Sequence, residues 1–180
     1  MIGKMQTAIS TNYNLGITFG NETSSNRVSL GLQDAEGIIQ NTGFQRYSIN
    51  FDNKTSAFDN VLSLNTKLSV SQLEDQSENT SDNAGFIGNI MGVGLYWNPT
   101  RELYNADGSY NVVSDTYLNP AQLLDAYDDQ TSTSRILASI SPKIQINENL
   151  AFNMLIGIDY STSERTNSLS PLFRLQDFDY

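Results

Sequence analysis

The stretch Tyr13-Asn14-Leu15-Gly16-Ile17-Thr18-Phe19 alternates apolar and small polar residues without interruption. Successive side chains on a strand point to opposite faces, so this period of two reads as a strand with one apolar face and not as a helix. The same pattern returns along the chain: Val28, Leu30 and Leu32; Tyr47, Ile49 and Phe51; Leu62, Leu64, Leu68 and Val70; Ile136, Ala138, Ile140, Ile144 and Ile146; Leu150, Phe152, Met154, Ile156, Ile158 and Tyr160. Six strands are therefore predicted, at residues 11–20, 26–34, 44–53, 61–72, 134–146 and 149–161. Every charge well inside them, Arg27, Arg46, Lys67, Arg135, Lys143 and Asp159, falls on the polar phase.

Alternation also suits a soluble β-sandwich. Three features favour a membrane barrel. With their polar ends included, four strands run to about 10 residues or more, against a usual ~5–6, and a membrane-spanning strand needs ~9–11. The polar phase is rich in Asn, Ser and Gly, as a wet lumen requires. Aromatic residues close the apolar stripes at Tyr13 and Phe19, Tyr47 and Phe51, and Phe152 and Tyr160, where headgroup-level girdles stand. The connections alternate as well. Short turns are expected at 21–25, 53–60 and 147–149, and long ones at 35–43, at 72–134 and after 161, which is the periplasmic and extracellular rule of outer-membrane barrels. The expected fold is all-β: antiparallel up-and-down strands forming part of a large transmembrane β-barrel, with one long, partly helical extracellular loop at 73–133.

Composition excludes several functions. The chain has 180 residues and a net charge of −10, with no Cys and no His. Thiol chemistry, disulfides and histidine-based catalysis or metal binding are ruled out. The acidic balance argues against nucleic acid. Charged residues are only 17%, while Asn, Ser and Thr make up about 30%. No apolar run reaches the ~18 residues of a membrane-spanning helix, and no signal peptide is read at the start.

The long loop has its own organisation. After an acidic run from Glu74 to Asn83, residues 86–97 suggest a short helix. Asp107-Gly108 between Tyr104 and Tyr110 predicts a two-residue type I′ hairpin turn. Asn119-Pro120 predicts an N-cap and first helical position for a helix reaching Tyr127.

These residues carry a family resemblance. Asn12-Tyr13-Asn14-Leu15 through Asn21-Glu22 resembles the "NYNLSVSGG" strand of the SusC/RagA family of TonB-dependent outer-membrane transporters. Val28 to Tyr47, with Gln33-Asp34-Ala35-Glu36-Gly37-Ile38-Ile39 at its centre, resembles that family's "YLSLGYxDQEGIIKNSGFKRY" hairpin without a gap. Leu103-Tyr104-Asn105-Ala106-Asp107-Gly108-Ser109-Tyr110 resembles its "PVYNxDGSY" loop element, and Asn119-Pro120-Ala121 resembles the "NP" that opens a short loop helix. The resemblance covers nearly the whole chain. It implies a barrel of about twenty-two strands, filled by an N-terminal plug. This chain offers six strands and no plug or TonB box, so it reads as an early barrel segment.

The resemblance further implies import of large nutrients, oligosaccharides or peptides, across the Gram-negative outer membrane. A SusD-like surface lipoprotein and the TonB complex, acting through the plug, would be the partners. Tyr96, Trp97, Tyr104, Tyr110, Tyr117 and Tyr127 are the candidates for contact with ligand or lipoprotein, since rigid aromatic faces stack on sugars and anchor interfaces; the plainer alternative is that they pack the loop against itself. Arg27, Arg46, Lys67, Arg135, Lys143 and Asp159 would face the lumen. Asp125, Asp128 and Asp129, or Asn105, Asp107 and Ser109, supply oxygen atoms, but the calcium-loop pattern is absent and no metal is assigned. No catalytic residue, cofactor or enzyme activity is expected. The alternatives are a soluble β-rich carbohydrate-binding module and a non-functional truncated remnant.

Overall fold

The computed structural model describes residues 4–78, 89–114 and 117–170. Its strands follow one another as an up-and-down antiparallel sheet: β1 (Ser10–Gly20), β2 (Ser24–Glu36), β3 (Gly43–Ala57), β4 (Leu62–Ser77), β5 (Tyr127–Asn147), β6 (Leu150–Asn153) and β7 (Ile156–Leu169). Each pairs with its predecessor, except that β7 returns to β5 beyond the point where β6 leaves it. The sheet has the architecture of part of a β-barrel wall.

β6 and β7 are two halves of one strand. Asn153 stands opposite Lys143 and Ile156 opposite Ile140, the same register on both sides of the break. The break lies opposite Pro142. Met154 N donates to Pro142 O at 3.0 Å, but a proline has no N–H to return. The lost bond interrupts the ladder on that edge alone, and Pro142 keeps its place opposite Leu64 on the other.

The register gathers the apolar phases of all strands onto one face. Leu15, Leu30, Ile49, Val70, Ile136 and Tyr160 form one cross-strand row, and Ile17, Val28, Phe51, Leu68, Ala138 and Ile158 form the next. No second layer covers this face among the described residues: Leu15, Ile49 and Ile158 are 61%, 53% and 64% exposed. The buried core lies in the loop, where Ile90, Val93, Leu118, Leu123 and Leu124 pack together. Among the described residues no helix is long and apolar enough to cross a membrane; the crossing elements of a barrel would be strands.

Strand ends depart from the expectation. β3 runs on through Asn53–Ala57, where a turn was expected, and β4 and β5 continue to Ser77 and from Tyr127. These ends are polar on both faces, so hydropathy does not mark them. Side-chain hydrogen bonds across the strands hold them instead: Asn53 Nδ2 donates to Asn26 Oδ1 at 2.7 Å, and Gln72 Nε2 to Ser132 Oγ at 2.7 Å. The loop between strands consequently shrinks to 78–126. The turns at 21–23, 58–61 and 148–149 step further down the sheet by about one residue per strand, which corresponds to a strand tilt of roughly 35–40° where turns share one level.

Candidate functional site

Two regions carry chemistry: the folded loop at one end of the sheet, and the polar face.

The loop is built on two short capped helices of about two turns each. α1 (Ile90–Tyr96) is capped by Asn89, whose side chain accepts from the backbone of Met91 and Gly92. Residues 86–88 of the expected helix lie outside the described residues. α2 (Pro120–Ala126) begins as the sequence predicts, with Asn119 accepting from Ala121 and Gln122 and Pro120 at its start. Asn119 is 1% exposed. Its Nδ2 donates to Leu103 O at 2.6 Å and Asn111 O at 3.2 Å, tying α2 to the hairpin.

That hairpin is not the expected type I′ turn. Only Gly108 has a left-handed φ (+83°); Asp107 does not. Gly108 N donates to Asn105 O at 3.0 Å and Asn105 N to Ser109 O at 2.8 Å, a three-residue turn closed by glycine. Asp107 Oδ1 accepts from Ser109 N and Oγ at 2.9 and 2.6 Å, so its carboxylate stabilises this three-residue turn. The arms reduce to a single bridge, Tyr104 to Tyr110.

The six loop aromatics divide into separate groups. Trp97 is 4% exposed; it stacks on Tyr117 at 5.5 Å and 18° and donates to Arg101 O at 3.1 Å. Tyr117 O–H donates to Tyr96 O. Tyr104 and Tyr110 pair at 5.6 Å. Tyr127 sits apart at the start of β5, bonded to Asp129. Tyr96 and Tyr104 keep exposed surface, 62% and 38%.

Lys4 joins this group from the other end of the sequence. Its Nζ lies 3.1 Å from both Asp125 oxygens and 5.8 Å over the Tyr104 ring, and Tyr110 O–H reaches Asp125 at 3.1 Å. Burial works against the ammonium, but the bonds to Tyr104 and Asp125 outweigh it and raise its pKa. Glu78, at the end of β4, is 8% exposed. Burial, reinforced by Asp128, Asp125 and Asp129, pushes its carboxyl up to about 8. Asp129 is itself engaged by Arg165 through two of its guanidinium nitrogens, Nε and Nη2. The carboxylates Asp125, Asp129 and Asp107 are thus occupied by protein partners. Among the described residues no three metal-ligating side chains form a group.

The second region is the polar face. Arg27, Arg46, Lys67, Arg135, Lys143 and Asp159 all lie there, opposite the apolar rows. Arg135 and Asp159 form a two-point pair at 2.9 and 2.6 Å. Asp52, near the end of the expected strand 44–53, shares this face, and so does Lys54, which was missed because residues 53–60 read as a turn. Glu78, Lys4 and Arg165 were missed for a different reason: each looks like an isolated surface charge until the fold brings its partners.

No family model matches the chain. It is similar to the TonB-dependent receptor SusC of Bacteroides thetaiotaomicron, 23% identical over 187 residues, covering 92% of this chain and 18% of that protein. It is also similar to the TonB-dependent receptor P26 of Formosa agariphila, 26% identical over 169 residues, covering 89% of this chain and 16% of that protein. The chain therefore spans less than a fifth of the length of these curated relatives. Two receptors matched along nearly the whole chain, and an up-and-down sheet apolar on one face and polar on the other, agree: the chain is similar to the SusC-like TonB-dependent receptors.

Proposed function

We propose that this chain is barrel wall of an outer-membrane transporter that imports large nutrients, oligosaccharides or peptides, and that it catalyses no reaction. The apolar face would contact lipid, the polar face the lumen, and the loop at 78–126 the cell exterior. A SusD-like lipoprotein would meet the loop, with Tyr96 and Tyr104 as its exposed aromatics. TonB would act through a plug lying elsewhere in the full-length protein.

The observation that carries the reading is the uncovered apolar face, continuous across every spanning strand. In water so large a patch is a liability; in a bilayer it is the requirement. The stagger of the turns supports it, because closing a barrel needs a tilt of about 35–45°. The soluble-module alternative needs a second layer over these rows.

The test is substitution on the two faces of one strand in the full-length protein. Ile49→Arg or Ile158→Arg should cost ~2–4 kcal/mol of membrane stability and deplete folded protein from the outer membrane. Asn50→Arg, on the opposite face of β3, should leave assembly intact. Equal tolerance of both faces would count against lipid contact.

A further inference from the structure

We propose that the polar face of the sheet is a track for an anionic solute, one carrying carboxylate or sulfate-ester groups along its length. The inference rests on the transporter reading and names its class of cargo.

The argument is the distribution of charge. The chain carries a net −10, with 20 acidic and 10 basic residues. Six of the basic residues, Arg27, Arg46, Lys54, Lys67, Arg135 and Lys143, nevertheless stand on the polar face of the sheet, where it backs the apolar rows. Asp52, Asp75, Asp129 and Asp159 share that face, as does a seventh cation, Arg165, which engages Asp129. Asp159 is taken by Arg135. The other five cations make no ion pair among the described residues. Asp52 stands opposite both Arg27 and Lys67, so one carboxylate faces two cations. The face has a cationic surplus in an acidic chain.

The surplus is also ordered. Along β5 come Arg135, then Ser139 with Lys67 beside it, then Lys143. That is a positive level every four residues, about 14 Å apart. At the loop end, Arg46 and the Arg135–Asp159 pair border an open cavity of about 680 Å³ whose walls include the hydroxyls of Ser48, Ser71, Thr133 and Ser161. Guanidinium forks and hydroxyl donors suit carboxylate and sulfate oxygens. Rows of Arg and Lys are how pores favour anions, and a wall of one sign raises the local concentration of its counter-ion. A neutral solute needs no such surplus, and a cationic one is repelled. At the loop end, Asp125 and Asp129 are already paired with Lys4 and Arg165.

The experiment uses the full-length protein in detergent, with hexameric oligogalacturonate and its neutral methyl ester as probes in calorimetry at low and high salt. The variant Arg46→Gln/Lys67→Gln/Lys143→Gln leaves the apolar face untouched, and outer-membrane fractionation checks its insertion. The acid should bind about tenfold or more tightly than the ester at low salt, and both the triple variant and high salt should remove that preference. Equal binding of acid and ester, a preference that survives the triple substitution, or an inserted protein that binds neither overturns the proposal; in the last case the cations face an acidic protein surface. A wild-type protein absent from the outer membrane overturns the transporter reading and this inference with it.

Discussion

Asn119 performs two tasks at once. Its oxygen caps α2 and its amide nitrogen bonds two carbonyls of the hairpin. Alanine removes both and should weaken the loop by about 2–3 kcal/mol, seen as faster hydrogen exchange in α2 of the full-length protein. Aspartate keeps the cap but turns a buried negative oxygen toward those carbonyls, so Asn119→Asp should exchange at least as fast as the alanine variant. Slower exchange in the aspartate variant would mean that capping is the only role. Glu78 makes the loop base sensitive to pH. Its carboxyl holds a proton up to about 8 in the folded chain, against an ordinary 4.5. Between those values the folded state binds more protons than the unfolded one, so this contribution is full below 4.5 and lost as pH rises through 8. Protease cleavage within 97–114 should therefore increase from pH 5 to pH 9, and Glu78→Gln should flatten the change. An unchanged pH response in that variant would assign the effect elsewhere.

At the scale of elements, Pro142 shows how one residue edits a strand. It sits in β5, with neighbours on both sides, where a proline is ordinarily excluded. Its missing N–H faces β6 and β7 and divides them. Pro142→Ala restores a donor opposite Met154. The variant should join the two halves and slow hydrogen exchange at Met154 and Leu155; unaltered exchange would show that another constraint breaks the strand. The β3–β4 turn is set by local conformation in a different way. Phe58, Asp59 and Asn60 all have left-handed φ, at 54°, 52° and 68°. None of them is glycine, so the position of this turn cannot be read from glycine punctuation. The hairpin at Asp107-Gly108 makes the converse point. The dipeptide signals a turn correctly, but the Asp107 carboxylate, accepting from Ser109 N–H and O–H, favours the three-residue form over type I′.

At the scale of the whole molecule, the sheet has two unpaired edges among the described residues, β1 on one side and β6 with β7 on the other. Open edges beside a bare apolar face drive association in water and are not tolerated in lipid. Residues 1–180 expressed alone should need detergent and should sediment as oligomers or aggregate; a monodisperse monomer in plain buffer would favour a self-contained soluble protein. The sequence alone determined the faces. A period of two fixes which side chains share a surface whatever the strand pairs with, so the apolar rows through Leu15 and Ile17 and the polar phase of Arg27, Arg46 and Lys67 were legible. The asparagine cap of α2 was legible because capping is local. The tertiary structure decided what depends on partners distant in sequence. Polar strand ends pair where side chains such as Asn26 and Asn53, and Gln72 and Ser132, meet across the ladder. Trp97 is buried because Tyr117 lies against it, and Lys4 reaches Asp125 across 121 residues. Alternation is written residue by residue, whereas pairing energy appears only when the chain closes long loops to bring those partners together.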